Sequence, residues 1–385
     1  MHFKNLSSMT EHFPLTEFES HRTPFYFYDL GLLDRTIDDL LANKGDFHVH
    51  YALKANSNPV IVSHIAGRGL GADCVSGGEI QRALDCGIPA EKIVFAGVGK
   101  TDEEILLALN AGIGCFNVES APELEVISAL AVQTGKKARI AIRVNPNVDA
   151  HTHANITTGL AENKFGINFE MLPDMVSLAH SLPAIELTGL HFHIGSQITD
   201  FEPFVKLCEV INRLQTQVRV NHINVGGGLG IDYTTPDGHP IPDFKGYFET
   251  FRRNLNLLPG QTLHFELGRS VVAQCGSLIS RVVYVKHGLA KNFMICDAGM
   301  SELLRPALYQ AHHLIQNLSE PESAPRETYD VVGPICESSD VFGSDEILPA
   351  ARRGDLIAFR SAGAYGETMA SNYNLRQLNP PVFKK

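Results

Sequence analysis

Lys54, within the run YALKAN, carries an amine that can bond covalently to a carbonyl compound. The apolar residues around it predict a β-strand, and period-two alternation places Lys54 on the same face as His50 and Ala52. If this strand lies in a parallel sheet, protein covers both of its faces, so we expect little solvation of this amine. A desolvated amine has a lowered pKa and becomes the nucleophile that Schiff-base chemistry requires. The alternative is a lysine that reaches solvent or pairs with a carboxylate.

Three consecutive glycines, Gly226, Gly227 and Gly228, follow another strand candidate. Because they lack side chains, their backbone N–H groups can approach an anion closely, and a phosphate monoester is the usual occupant of such a loop. The alternative is a tight turn with no ligand. Their position directly after a strand favours the phosphate site.

Two histidines, His191 and His193, lie two residues apart on a strand candidate and therefore on one face. A metal site is one interpretation, but no carboxylate or cysteine at matching spacing completes it. We instead expect one imidazole to lie flat against an aromatic ring. The other is expected to be a core histidine with its hydrogen bonds satisfied.

The run ELGRS places Glu266 three residues before Arg269. One interpretation is a buried ion pair between these two side chains. The other is a carboxylate that faces a pyridine nitrogen and keeps it protonated, which makes the ring a better electron acceptor. Both interpretations can hold at different moments of a reaction.

Elements that could position these residues follow a repeating pattern, in which short runs rich in Val, Ile and Phe alternate with longer amphipathic stretches. The eight strand candidates are HVHYALK near 48, GADCV near 71, KIVFA near 92, CFNV near 115, ARIAIRV near 138, LTGLHFHI near 187, HINV near 222 and TLHFE near 262. Eight βα units predict an α/β fold, a (β/α)8 TIM-type barrel. Catalytic residues of such barrels lie at the carboxyl ends of the strands, which is where the residues above fall.

The stretches between the strands have helical periodicity; in EIQRALDCG, for example, Ile80, Ala83 and Leu84 share a face and Gly87 is a plausible stop. The longer polar segment HTHANITTGLAENKFG, around His153, is a candidate active-site loop.

Strand-like runs without long helices between them begin near residue 270 and predict a C-terminal, mainly β domain of barrel or sandwich type. We therefore predict a barrel over residues 30–270 and a β domain from 1–29 plus 271–385. The run FYFYDL is assigned to the β domain, although its local pattern does not decide which sheet it enters.

Charge and composition exclude several classes of protein. The chain has 385 residues, with 32 Lys plus Arg against 43 Asp plus Glu, and no basic cluster that could follow a nucleic-acid backbone. No apolar run reaches the roughly 18–20 residues that span a bilayer, and the first residues lack the apolar core of a signal peptide. The seven cysteines include no C-x-x-C pair and predict free thiols. We expect a cytoplasmic protein with no nucleic-acid or membrane partner.

These residues together resemble the fold-type III pyridoxal phosphate decarboxylases, most closely the branch that acts on diaminopimelate. The resemblance covers nearly the whole chain. It rests on YALKAN at 51, HFHIGSQ at 191, GGGLG at 226, ELGRS at 266, CDAGM at 296, RPALY at 305, GPICESSD at 333 and GAYGETMASNYN at 363. The number and order of these segments make a chance match negligible.

The resemblance implies a role for each matching residue in binding pyridoxal 5'-phosphate. Lys54 would link to the cofactor, His193 would stack on its ring and Glu266 would pair with the pyridine nitrogen. Ser196, Gly228 and the backbone near Gly268 and Arg269 would hold the phosphate, and Tyr365 would line the site beside the cofactor.

The resemblance also implies how an amino-acid substrate would bind. Arg269, Arg305 and Tyr309 would bind a distal carboxylate, Glu337 a distal ammonium, and Cys336 would return the proton after carbon dioxide leaves. Meso-diaminopimelate carries an amino-acid head at each end, which suits this set of charges. Two arginines would repel the cationic tail of ornithine or arginine.

Three alternatives remain open: a decarboxylase of ornithine or arginine, one of carboxynorspermidine, and a non-catalytic relative that keeps only the fold. Family members are homodimers in which Cys336 and Glu337 would complete the neighbouring subunit's site. One departure concerns Leu267, where the family commonly has proline; we expect altered stiffness of this turn and no change of reaction.

Overall fold

The computed structural model describes residues 13–148 and 164–385. These residues form two compact units, the first from 13–35, 231–241 and 272–385, and the second from 36–148, 164–230 and 242–271. Segment 231–241 thus belongs to the first unit, although the sequence pattern places it within the barrel region; the predicted domain limits remain a prediction. The predicted active-site loop around His153 lies almost entirely outside the described residues.

The strands of the described residues are numbered in chain order. They are β1 (Phe25–Asp29), β2 (His48–Ala52), β3 (Gly71–Cys74), β4 (Ile93–Phe95), β5 (Cys115–Val118), β6 (Ala138–Asn145), β7 (Ile167–Asn168), β8 (Ile185–His191), β9 (His222–Asn224), β10 (Thr262–Leu267), β11 (Gly276–His287), β12 (Asn292–Cys296), β13 (Ile315–Asn317), β14 (Arg326–Val332), β15 (Val341–Pro349), β16 (Leu356–Phe359) and β17 (Val382–Lys384).

The α-helices of the same residues are α1 (Leu15–Phe18), α2 (Leu30–Lys44), α3 (Pro59–Gly67), α4 (Gly77–Asp85), α5 (Asp102–Ala111), α6 (Ala121–Thr134), α7 (Leu172–Ser181), α8 (Glu202–Leu214), α9 (Phe244–Asn254), α10 (Arg269–Val272) and α11 (Arg305–Tyr309). Short 3-10 turns span Leu53–Ala55, Ala90–Lys92, Phe169–Met171, Glu367–Met369 and Tyr373–Leu375.

The second unit is a closed parallel barrel. Strands β2, β3, β4, β5, β6, β8, β9 and β10 pair in that order, β10 pairs back to β2, and the short β7 pairs with β6. Each of the eight strand candidates from the sequence contributes one of these strands, so the predicted (β/α)8 barrel is confirmed. A closed parallel barrel brings the carboxyl ends of all its strands to one face.

Caps set the limits of the barrel helices. Helix α5 begins with a capping box, in which Thr101 and Glu104 satisfy each other's backbone N–H groups, and ends at Gly112 with φ of 71°. In α4 the predicted inner residues Ile80 and Ala83 are fully buried, and Gly87 follows the helix end with φ of 89°. These stops let the chain return to the next strand within a few residues.

Aromatic packing fixes β10 against the helix that precedes it. The Phe265 ring lies 5.0 Å from the rings of Phe248 and Phe251, both on α9. Tyr247 and Phe204 extend the cluster, and all five side chains are buried. Truncating a buried phenylalanine to alanine typically costs about 3–5 kcal/mol, so this cluster holds the backbone of β10 firmly. Glu266 is the next residue along that strand.

The first unit is built on a second, mainly antiparallel sheet in the order β13-β16-β11-β12-β14-β15, with β1 pairing with β11 and β17. The run FYFYDL therefore enters this sheet. Its residues Phe25 and Phe27 join a buried cluster with Phe18 and Ile279. The predicted C-terminal β domain is confirmed as a fold. Within the described ranges, no helix combines the length and apolar character needed to cross a membrane.

Candidate active site

Lys54 lies just past the end of β2. The chain leaves the extended conformation after Ala52, so Lys54 falls in the 3-10 turn Leu53–Ala55, and the period-two prediction of its face is wrong. Its Nζ lies 3.9 Å from Oδ2 of Asp73; the lysine side chain is 40% exposed and the aspartate side chain 1%. The amine is therefore more solvated than predicted and faces a carboxylate. Burial, together with the charge of Glu266, raises the pKa of Asp73 well above its usual value despite Lys54.

Glu266, on β10, is a buried carboxylate that accepts hydrogen bonds from three strands. Its Oε1 accepts from the side-chain amides of Asn117 at 2.9 Å and Asn224 at 2.7 Å. Its Oε2 accepts from Nε2 of His191 at 2.9 Å. Burial alone would raise the pKa of Glu266, but the charge and hydrogen bond of His191, with the charge of Lys54, hold it well below its usual value. The carboxylate is therefore ionised, and these three donors replace the predicted ion pair with Arg269.

His191 and His193 have different partners. His191, the last residue of β8, is 1% exposed and donates from Nε2 to Glu266, but its buried Nδ1 has no hydrogen-bond partner among the described residues, so the expectation of a core histidine with all its hydrogen bonds satisfied is wrong. His193 lies beyond the strand end, and its Nδ1 accepts from the backbone N–H of Gly227 at 3.3 Å. Burial first, then the charges of Lys54 and Arg143, lower the pKa of His193 well below its usual value, so this imidazole is neutral. No group of three or more metal-binding side chains occurs in the parts of the chain that the structure describes.

The loops after β8, β9 and β10 approach each other closely. A Cβ on Gly227 would lie 2.0 Å from the carbonyl oxygen of Glu266, and one on Gly228, with φ of 107°, would lie 2.9 Å from that of Gly195. Nη2 of Arg269 donates to Oγ of Ser196 at 3.0 Å. A guanidinium, a hydroxyl and a glycine turn supply donors and positive charge, the combination that suits a phosphate.

The turn after β10 also contacts the lysine turn. A Cβ on Gly268 would lie 3.0 Å from Cβ of Ala55 and 3.2 Å from that of Ala52, so only glycine fits here without a shift. Leu267, where the family commonly has proline, pairs with Tyr51 of β2 and is 1% exposed. These contacts hold the turn that carries Lys54 next to the strand that carries Glu266.

Two buried cations near the same end of the barrel were not predicted from the sequence. Nζ of Lys100, fully buried, donates to Oε1 of Glu123 at 2.6 Å and to the carbonyl oxygen of Gly97 at 2.8 Å. Nη1 of Arg143 donates to Oε1 of Glu119 at 2.9 Å. Burial would raise the pKa of Glu119, but Arg143 and Lys100 lower it below its usual value. The network ties together the ends of β4, β5 and β6.

Of the residues assigned to substrate recognition, Arg305 and Tyr309 are the first and last residues of α11. Arg305 is only 5% exposed, so a buried guanidinium begins this helix. Tyr365 has φ of 56°, a left-handed backbone conformation that non-glycine residues rarely adopt.

Cys336 and Glu337 lie in an exposed segment between β14 and β15. The thiol of Cys336 is exposed, and its backbone N–H donates to Oδ1 of Asn374 at 3.2 Å. Oε1 of Glu337 accepts from the hydroxyl of Tyr373 at 2.5 Å. All seven cysteines are described and free, and Cys336 is the one that is exposed.

Comparisons with known proteins agree on one family. Residues 30–273 match the family model described as the pyridoxal binding domain of the pyridoxal-dependent decarboxylases. The chain is 57% identical over 374 residues to diaminopimelate decarboxylase of Bacteroides thetaiotaomicron, which covers 95% of this chain and 96% of that protein. It is 43% identical to the enzyme of Vibrio cholerae, over 95% of this chain and 88% of that one.

Solved structures give the same fold. Diaminopimelate decarboxylase from Helicobacter pylori, complexed with L-lysine, has a TM-score of 0.89 and 41% identity, over 97% of this chain and 94% of that one. A lysine/ornithine decarboxylase from Vibrio vulnificus, complexed with putrescine, has a TM-score of 0.84 at 22% identity, a likeness of fold alone.

Proposed function

From the premise that this chain belongs to the pyridoxal-dependent decarboxylases, we propose that it converts meso-diaminopimelate to L-lysine and carbon dioxide, with pyridoxal 5'-phosphate as cofactor. The chain is an enzyme of the carboxy-lyase class, and the reaction is the last step of lysine biosynthesis. The observation that carries the proposal is Glu266, a buried carboxylate kept ionised on the strand next to the lysine turn.

The residues present fit the cofactor. The proposed cofactor residues are Lys54, His193, Ser196, Gly228, Glu266, Gly268, Arg269 and Tyr365. Ser196, Arg269 and the glycine turn would hold the phosphate. When bound, the cofactor withdraws electrons from the substrate's α-carbon through its protonated ring, which allows carbon dioxide to leave.

Side chains of this protein would determine the charge around the pyridine ring of the cofactor. An ionised Glu266 would hold a proton on the pyridine nitrogen, because the proton then lies against a full negative charge. A neutral His193 would lie against the ring without adding a competing positive charge. Lys54 would supply the amine that links to the cofactor and exchanges with the substrate amine.

Recognition of the substrate would fall to the remaining residues. We propose that Arg269, Arg305 and Tyr309 bind the distal carboxylate, that Glu337 binds the distal ammonium and that Cys336 donates the proton that replaces the lost carboxylate. The exposure of Cys336 and Glu337 supports a homodimer in which they complete the site of the neighbouring subunit.

The test is to incubate the purified chain and pyridoxal phosphate with meso-diaminopimelate, ornithine, arginine or carboxynorspermidine, and to measure carbon dioxide and lysine. We expect carbon dioxide and L-lysine from meso-diaminopimelate alone. Release of carbon dioxide from ornithine, arginine or carboxynorspermidine, with no reaction of meso-diaminopimelate, would refute the proposed substrate.

A second measurement separates an enzyme from a binding module. The lysine-linked cofactor absorbs near the visible edge, and we expect this absorbance in the wild type and its loss in Lys54→Ala. A wild-type protein that is colourless once unbound cofactor has been removed would favour a non-catalytic relative.

A further inference from the structure

Two aromatic side chains, His313 and Tyr233, contact the guanidinium of Arg305. Its Nη1 lies 2.7 Å from Nε2 of His313, and its Cζ lies 4.7 Å from the centroid of the Tyr233 ring. The two rings contact each other edge to face, with centroids 5.1 Å apart. A guanidinium has five N–H donors and no acceptor, so the hydrogen bond must run from Arg305 to the lone pair of His313.

The other nitrogen of His313 fixes its protonation. Nδ1 lies 2.8 Å from the backbone carbonyl oxygen of Arg360, which can only accept, so Nδ1 carries the proton. His313 is 1% exposed, so water cannot readily replace either partner. The geometry therefore defines a neutral imidazole with one tautomer. A protonated ring would direct an N–H at the guanidinium and place two cations together.

We propose that His313 is a positioning residue for Arg305 and thereby for the distal carboxylate of the substrate, an inference that rests on the proposed function. Both His313 and Tyr233 are uncharged, so they orient the guanidinium without neutralising it. A carboxylate in their place would satisfy the same N–H groups but would cancel the charge needed to attract an anion.

Two substitutions of His313 separate its two hydrogen bonds. The amide of His313→Asn can replace Nδ1–H and donate to the carbonyl of Arg360, but it offers no acceptor where Nε2 was. The longer His313→Gln can place its Oε1 near that position and accept from Arg305. We expect His313→Asn to raise the KM for meso-diaminopimelate about tenfold with a smaller change in kcat, the loss expected for one charge-assisted hydrogen bond. His313→Gln should recover most of the loss.

Binding to the holoenzyme gives a second readout. L-lysine keeps the carboxylate of the distal head, whereas cadaverine lacks it. In calorimetry we expect His313→Asn to weaken L-lysine binding about tenfold and to leave cadaverine binding unchanged. Tyr233→Leu, which removes the ring under the guanidinium, should weaken L-lysine selectively by about threefold. His312→Asn, at the neighbouring 47% exposed histidine, is the matched control.

The outcomes distinguish this inference from the proposed function. If the wild type decarboxylates meso-diaminopimelate but His313→Asn and Tyr233→Leu bind L-lysine normally, His313 does not position Arg305. Equal losses for L-lysine and cadaverine, or no recovery in His313→Gln, would indicate a structural role alone and would also overturn it. A wild type that neither reacts with meso-diaminopimelate nor binds L-lysine would instead contradict the proposed function, and the inference with it.

Discussion

Glu266 stays ionised because donors from three strands outweigh the cost of burying its charge. The sequence located Glu266 and His191 but not their hydrogen bond or the two amide donors, since Asn117, His191 and Asn224 are 149, 75 and 42 residues away from Glu266 along the chain. Their proximity arises only when the barrel closes. The sequence did show a polar residue at or near the carboxyl end of each of these three strands. Period-two alternation then predicts that its side chain points into the barrel.

The substitution His191→Phe tests whether the ionisation of Glu266 depends on the hydrogen bond from His191. Removing the imidazole leaves only the two amide donors, so the pKa of Glu266 rises and the fraction ionised at acid pH falls. We expect the acid limb of the pH profile of kcat to move to higher pH, with the rate approaching that of the wild type in alkaline solution. His180→Phe, at an exposed position on α7, should leave the profile unchanged. A folded His191→Phe enzyme with an unmoved acid limb would contradict the role given to His191.

At the scale of elements, hydrophobic periodicity predicts that a strand exists better than it predicts where the strand ends. All eight barrel strands were found from the sequence, yet Lys54 was placed on a strand that stops at Ala52. Ala52 pairs with Asp73, one residue before β3 ends at Cys74. The chain then enters the 3-10 turn Leu53–Ala55, a change that the local sequence pattern does not reveal.

The glycine turn makes an element-level prediction about stability. A Cβ on Gly227 would lie 2.0 Å from a backbone oxygen, and backbone cannot move aside as a flexible side chain can. We expect Gly227→Ala to destabilise the protein by about 2 kcal/mol or more, seen as a lower thermal midpoint and weaker cofactor binding.

The matched control for the glycine turn is Gly67→Ala. Nothing lies within 4 Å of the new Cβ at the end of α3, and the substitution should stabilise by about 0.4–1 kcal/mol. Equal thermal midpoints for the Gly227→Ala and Gly67→Ala variants would show that the close approach at Gly227 does not determine the stability of the protein.

At the scale of the whole molecule, the proposed shared active site predicts complementation. In the proposed roles, Lys54→Ala would lack the cofactor amine and Cys336→Ala would lack the proton donor, so each variant alone should be nearly inactive. If each site takes Cys336 from the neighbouring subunit, a mixed dimer contains one intact site. Random exchange of equal amounts then restores about one quarter of the wild-type activity.

Unfolding and refolding the two variants together, followed by a decarboxylase assay, measures this recovery. The control is Cys86→Ala alone, which removes a partly buried thiol and should keep wild-type activity. Persistent inactivity of refolded mixtures that contain mixed dimers would mean that each subunit uses its own Cys336. The sequence could supply this expectation only through family resemblance, since no pattern within one chain encodes its partner.

Four histidines from three neighbouring barrel strands, remote in sequence, form a cluster in which His50 is buried, His222 and His264 are partly buried and His48 is exposed. Nε2 of His50 lies 3.0 Å from Nδ1 of His264, and the rings of His48 and His222 lie 4.6 Å and 4.8 Å from that of His264. Burial first, then repulsion from His50, lowers the pKa of His222 to about 4 and that of His264 to about 2. The folded barrel therefore holds these groups neutral at pH values where free histidine is charged.

Acid should consequently destabilise the barrel in a defined window. Because the folded pKa values of His222 and His264 lie below the unfolded value near 6.5, the unfolded chain binds more protons between those limits. The contribution to stability is complete above about pH 6.5 and falls by about 1.4 kcal/mol per pH unit for each histidine as the pH drops toward 4. We expect the thermal midpoint to decline between about pH 6.5 and pH 5, and less steeply in His264→Gln, which cannot be protonated. His180→Gln should keep the wild-type slope, and a midpoint of His264→Gln that falls as steeply as that of the wild type would locate the acid sensitivity elsewhere.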